Sequence, residues 1–198
     1  MPRVHTLEKS VSKKLRLLIE LDTEYQAIKY KRREALGYCI EYTFLEGFKT
    51  WENFVENLFI SHARYNDPVS GRRSYPFLAP KNEGHALELL TLERNYLDWT
   101  SPDNVISRAE TCFRSHSVMT SPIKRSMQDL RDMKKMRNHI AHGSKETERI
   151  FKDLSRRRIG KVVSRPGDYL NQTSPDGINN YNVYYLDVLL SLVEEMAS

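Results

Sequence analysis

Apolar residues recur along most of the chain at helical spacing. Leu7, Val11, Leu15, Leu18, Tyr25 and Ile28 follow one another at intervals of three, four or seven, a narrow stripe in a charged stretch. That pattern predicts a helix from about Thr6 to Leu36, with Gly37 bending or interrupting it. From Tyr38 to about Tyr65, the residues Phe44, Phe48, Trp51, Phe54, Val55, Leu58 and Phe59 form a broader apolar face. The two helices are expected to pack as a hairpin. Asn66 to Gly84, rich in proline and glycine and carrying Arg72-Arg73, reads as a long surface loop. A short helix is expected from His85 to about Trp99.

Two serine–proline pairs, Ser101-Pro102 and Ser121-Pro122, predict helix starts, because a hydroxyl caps and proline suits the first helical position. The first of these helices is expected to run to about His116 and the second to about Gly143. Glu146 to Arg158 reads as helix and Val162 to Asn180 as loop, with turn signals at Arg165-Pro166-Gly167 and Ser174-Pro175-Asp176-Gly177. Asn182 to Met196 is the last helix. No stretch alternates as a strand does, so the class is all-α.

At 198 residues the chain fits one domain, with residues 1–36 as a helical extension packed on it. The longest apolar run, Leu186 to Val193, is too short to span a membrane and is broken by Asp187 and Ser191. No apolar segment follows Met1-Pro2-Arg3-Val4-His5, so the expected location is the cytoplasm. Cys39 and Cys112 lie far apart and outside any CxxC pattern, which argues against a zinc knuckle or disulfide and for two small core side chains. A net charge of +5 and a pI near 9.1 favour an anionic partner.

One stretch carries chemistry. Met136-Arg137-Asn138-His139-Ile140-Ala141-His142-Gly143 ends a helix whose apolar members are Ile123, Met127, Leu130, Met133 and Ile140. Arg137 falls within that apolar face, where a permanent charge needs a partner, a polar cavity or an interface. His142 lies roughly 140° around the helix from it, and Gly143 is expected to end the helix and let His142 swing. Imidazole exchanges protons near neutral pH, and guanidinium stabilises charge on phosphate oxygens. With RNA the substrate's own 2′-hydroxyl can attack, so no metal or other cofactor is needed, and no compact carboxylate cluster of a two-metal nuclease is visible. The competing structural reading pairs Arg137 with Glu52 or Glu56 and leaves His142 to complement the helix dipole.

RNHIAH followed by Gly143 resembles the R-x4–6-H signature of the HEPN superfamily. Together with Trp51-Glu52-Asn53-Phe54-Val55-Glu56 and Arg165-Pro166-Gly167-Asp168-Tyr169-Leu170, it resembles the RiboL-PSP-HEPN branch over roughly Leu36 to the C-terminus. The resemblance implies a HEPN-like helical bundle and a metal-independent endoribonuclease acting on single-stranded or loop RNA, in toxin–antitoxin or antiviral defence. It also implies a homodimer in which two motifs share one cleft, with an antitoxin or defence complex as a further partner. Arg137 would hold the scissile phosphate, His142 would act as acid or base, and Asn138 would orient the pair. Glu52 is the candidate polar residue from the earlier helix, either catalytic or a salt bridge that orients Arg137. The alternative is a non-catalytic HEPN module that binds RNA or a partner protein.

Lys134, Lys135, Arg156, Arg157 and Arg158 lie near the motif in sequence and are candidates to guide an RNA backbone, as far as charge runs are not simply solvated faces. A further basic run covers Lys29 to Arg33. Tyr169, Tyr181, Tyr184 and Tyr185 offer rings for base stacking, though at helical spacing the last three fit a core. His139 is expected at the surface, and His5, His62, His85 and His116 are isolated.

Overall fold

A computed structural model of the protein describes residues 4–28, 33–65, 75–91 and 98–198. Of the sequence expectations, Arg72-Arg73 and most of the Lys29–Arg33 run lie outside these residues. The described residues form nine α-helices and no strand, so the chain is all-α. They are α1 (Val4–Ala27), α2 (Arg33–Tyr65), α3 (Glu83–Thr91), α4 (Pro102–Cys112), α5 (Ser117–Arg125), α6 (Met127–His142), α7 (Lys145–Ile159), α8 (Pro166–Leu170) and α9 (Tyr181–Ala197). Among the described residues no helix is long and apolar enough to cross a membrane. The contacts fall into two compact units, one within Met1–Lys13, Trp51–Leu130 and Ser191–Ser198, the other within Lys14–Thr50 and Arg131–Leu190.

The first unit is organised around an aromatic cluster. Phe59 is fully buried and meets Trp99 and Phe113 edge-on, with ring centroids 5.0 and 5.7 Å away. Such edge contacts align the positive ring edge with the negative face of the neighbour. Phe113 caps α4 in an extended conformation, so that helix ends at Cys112 rather than near His116. Beside it, Phe77 N donates to Cys112 O at 3.0 Å and Arg114 N to Tyr75 O at 2.7 Å, pinning the segment that precedes α3. Ser101 and Pro102 open α4 where expected, but the Ser101 hydroxyl makes no capping bond, and the start is marked by Pro102 in the first turn. Ser121-Pro122 does not open a helix: α5 begins at Ser117 and Pro122 sits inside it. Proline cannot donate to the preceding turn, and the helix closes three residues later at Arg125.

The second unit contains the candidate site. Here α1 packs on α2 at Gly47, where a Cβ would lie 2.2 Å from Leu186 Cδ2 on α9 and 3.8 Å from Leu15 Cδ2 on α1. Gly37 neither bends nor ends a helix; it lies inside α2, close against Gly167 of α8. A Cβ on Gly167 would come within 2.5 Å of Gly37 Cα, and Gly167 N donates to Glu41 Oε1 at 2.7 Å. The Arg165-Pro166-Gly167 stretch is thus the entry to a short helix rather than a loop turn. Burial holds the Glu41 carboxyl above its usual range despite that bond.

A buried polar network ties α1 to α2 and α9. Asp22 falls in the α1 stripe, about 40° from Leu18. It accepts from Asn180 Nδ2 and Asn182 Nδ2, each at 2.7 Å, and Asn182 Nδ2 also reaches Thr43 Oγ1 at 2.7 Å. Ile28, at the end of the same stripe, is exposed. Tyr169, Tyr181 and Tyr185 are buried, the Tyr181 ring meets the other two, and the hydroxyls of Tyr169 and Tyr185 lie 3.0 Å apart. These rings form core, not a stacking surface. Burial pushes both phenols upward.

Candidate functional site

The motif lies at the turn between α6 and α7. Gly143 takes φ +56° and donates its N–H to His139 O at 2.9 Å, so α6 continues in regular form through His142. His142 does not swing off the helix. Ser144 caps α7, its hydroxyl accepting from Thr147 N at 3.2 Å. The two helices then run back along each other. His139 stacks on Phe151 at 4.9 Å, and Asp132, further up α6, meets Arg157 and Arg158 at the far end of α7.

On this hairpin Arg137 is half-buried, and its Nη1 donates to Asn138 Oδ1 at 3.4 Å. His142 is exposed, and among the described residues its imidazole has no hydrogen-bond or ion-pair partner. The two lie five positions apart on unbroken helix, placing their Cβ directions about 140° apart and their backbones about 7.5 Å apart along the axis. Arg137 and Asn138 are therefore brought together, whereas His142 leaves the helix on another side. Glu52 is a half-buried residue of α2, in the first unit.

His139 is not the surface residue expected. It is half-buried on Phe151, with Nδ1 3.3 Å from Thr147 Oγ1. Desolvation lowers its pKa, opposed by the Glu148 charge and aided by Lys152.

The basic candidates divide. Asp132 is fully buried and takes Arg157 Nη2 at 2.6 Å and Arg158 Nε at 2.7 Å, with Lys135 Nζ at 3.9 Å. A buried carboxylate must be paired, so Arg157 and Arg158 serve first as its counter-ions and fasten α7 to α6. Arg156 pairs with Asp153 on the outer face at 2.9 Å. Lys134 and Lys135 are half-buried on α6. Sequence reasoning passed over Asp132, although it lies about 40° from the buried Met136 on the wheel. An acidic residue on an apolar face was the available signal.

A second feature had no local signal. An open pocket of about 390 Å³ lies where the end of α7 meets the turn before α9, lined by Arg158, Lys161, Gln172, Thr173, Ser174 and Tyr181 among others. Cys112 is half-buried beside a separate apolar pocket of about 90 Å³ in the first unit, and burial raises its thiol pKa. Cys39 is also half-buried, so neither cysteine is a core side chain. No family model matches the chain, and no curated protein or solved structure matches it either.

Proposed function

We propose that the chain is a HEPN-type endoribonuclease that cleaves single-stranded or loop RNA without a metal, acting in toxin–antitoxin or antiviral defence. The observation that carries this reading is the position of RNHIAH at the closed end of the α6–α7 hairpin, with a solvent-facing imidazole and a guanidinium tethered by Asn138. In the proposed reaction the RNA 2′-hydroxyl attacks the adjacent phosphorus and the 5′-oxygen leaves, giving a 2′,3′-cyclic phosphate and a 5′-hydroxyl. His142 moves the proton, and Arg137 steadies charge on the non-bridging oxygens. Because the two side chains leave α6 in different directions, the cleft is assembled from two copies of the chain, Arg137 of one beside His142 of the other.

The test is cleavage of single-stranded RNA in EDTA by the wild type, His142→Ala and Arg137→Ala. Loss of about 100-fold or more in each variant is expected, and equal cleavage by all three rejects the assignment. The divergence of Arg137 from His142 favours one second reading, a HEPN module that binds RNA or a partner protein without cutting. Undiminished RNA binding by both variants, with no cleavage by any form, selects it.

A further inference from the structure

We infer that the pocket at the end of α7 binds a nucleoside monophosphate through Lys161, Arg158 and the polar wall formed by residues 172–174. Its lining includes Lys161 and Arg158 and no carboxylate, with Arg158 Nε already on the buried Asp132 at 2.7 Å and Lys161 as the exposed cation. The surrounding chain reinforces that sign: from Arg131 to Lys161 there are eleven Lys and Arg against four Asp and Glu, a net +7 where the whole chain carries +5. An anion is the ligand such a field collects.

The end of a helix normally opposes an anion, because its last carbonyls point outward. Here two of them are already engaged. Arg156 O accepts from Gly160 N at 3.0 Å, and Arg158 O from Tyr181 Oη at 3.3 Å.

The neutral part of the ligand is indicated by size and by the wall. About 390 Å³ exceeds what a bare phosphate fills and lies within the range of small-molecule sites. Gln172 and Thr173 present amide and hydroxyl groups suited to a ribose or base edge, while the buried Ser174 hydroxyl already donates to Asp176 Oδ1 at 2.6 Å. The wall is held in advance of binding. Tyr181 N donates to Gln172 O and Ser174 N to Asn179 O, both at 2.9 Å, and Gln172 Nε2 donates to Asp168 O at 2.9 Å. Fixed groups lose little entropy when a ligand arrives.

This inference does not depend on RNA cleavage, and its test separates the two. The full chain is titrated calorimetrically in EDTA with each of the four nucleoside 5′-monophosphates, with inorganic phosphate and with unphosphorylated nucleosides. Wild type and His142→Ala are expected to bind one or more monophosphates equally. Lys161→Glu and Thr173→Val, both at exposed positions, are expected to weaken that binding about tenfold or more. Lys49→Glu, an exposed charge reversal on α2, leaves it unchanged. No saturable binding of any monophosphate, equal affinity in Lys161→Glu, or phosphate binding as tight as the nucleotides overturns the inference. Competition with a single-stranded oligoribonucleotide then identifies the source: displacement assigns the pocket to an RNA nucleotide, and lack of displacement to a free mononucleotide.

Discussion

Mixing two inactive variants tests whether the cleft is built from two copies. Arg137 and His142 share one regular helix, five residues apart. At about 100° and 1.5 Å per residue, they depart about 140° apart and about 7.5 Å along the axis. A cleft that draws Arg137 from one copy and His142 from the other has two such sites per symmetric dimer. Arg137→Ala and His142→Ala each remove one partner from both sites, and either homodimer is inactive. In a mixed dimer one site lacks both residues and the other has both. With free exchange at equal amounts, about half of the dimers are mixed and each regains one site of two, so about a quarter of wild-type activity returns. The assay is cleavage of end-labelled single-stranded RNA in EDTA after co-refolding, with native mass spectrometry recording mixed dimers. If mixed dimers form and cleavage stays at the level of the separate variants, the two-copy cleft is wrong.

Other consequences follow from the second unit. Gly167→Ala places a methyl 2.5 Å from Gly37 Cα and 2.6 Å from Gly37 O, both backbone atoms, so chemical denaturation should show a loss of about 1–3 kcal/mol. Asp132→Ala leaves two guanidiniums without their buried counter-ion; allowing for the partial exposure of Arg157 and Arg158, the expected loss is about 2–3 kcal/mol. A depressed histidine pKa means that the unfolded chain takes up the proton first as pH falls. The neutral, stacked His139 therefore contributes stability that is present above its unfolded pKa, near 6.5, and is lost below it. Urea midpoints should fall as the pH drops from about 6.5, and His139→Gln should flatten that slope. Asp176, held at about 2 first by the Ser174 hydroxyl and then by the Ile178 and Asn179 amides, contributes stability that is lost as pH falls from 3.8 toward that value; Asp176→Ala should remove this step from an acid titration of stability.

Periodicity made the helical class legible and set α7 and α9 to within a residue or so of their ends, because each carries a continuous amphipathic stripe and, for α7, Ser144 and Gly160 as stops. The errors came where local chemistry has two uses. Ser121-Pro122 has the residues of a helix start, but burial of Val118 and Met119 against the core begins the helix earlier. Gly37 looked like a hinge because glycine breaks helices; its use is close approach to Gly167, a partner 130 residues away that no local window contains. At the site, the motif and the inward tendency of Arg137 were readable. The continuation of α6 through His142 was not, since Gly143 can terminate a helix either before or after its neighbour.

The fate of the basic run shows how the hairpin makes an electrostatic surface. Arg156, Arg157 and Arg158 read as free arms for phosphates, yet Asp153 holds the first and Asp132 holds the other two. One carboxylate neutralises one guanidinium, so Asp132 fixes two arginines while leaving positive charge in excess around them. A fixed, partly exposed guanidinium acts at a distance through its field and spends no side-chain entropy on being ordered by a ligand. Lys161 is exposed, lies beside this field on the rim of the pocket, and has no ion pair among the described residues, so it can close on an anion. Reversing its charge should therefore cost binding through contact, whereas Arg156→Ala, which also releases Asp153, should change association mainly through its salt dependence. Equal salt slopes for wild type and Arg156→Ala would show that the field of α7 does not reach the ligand.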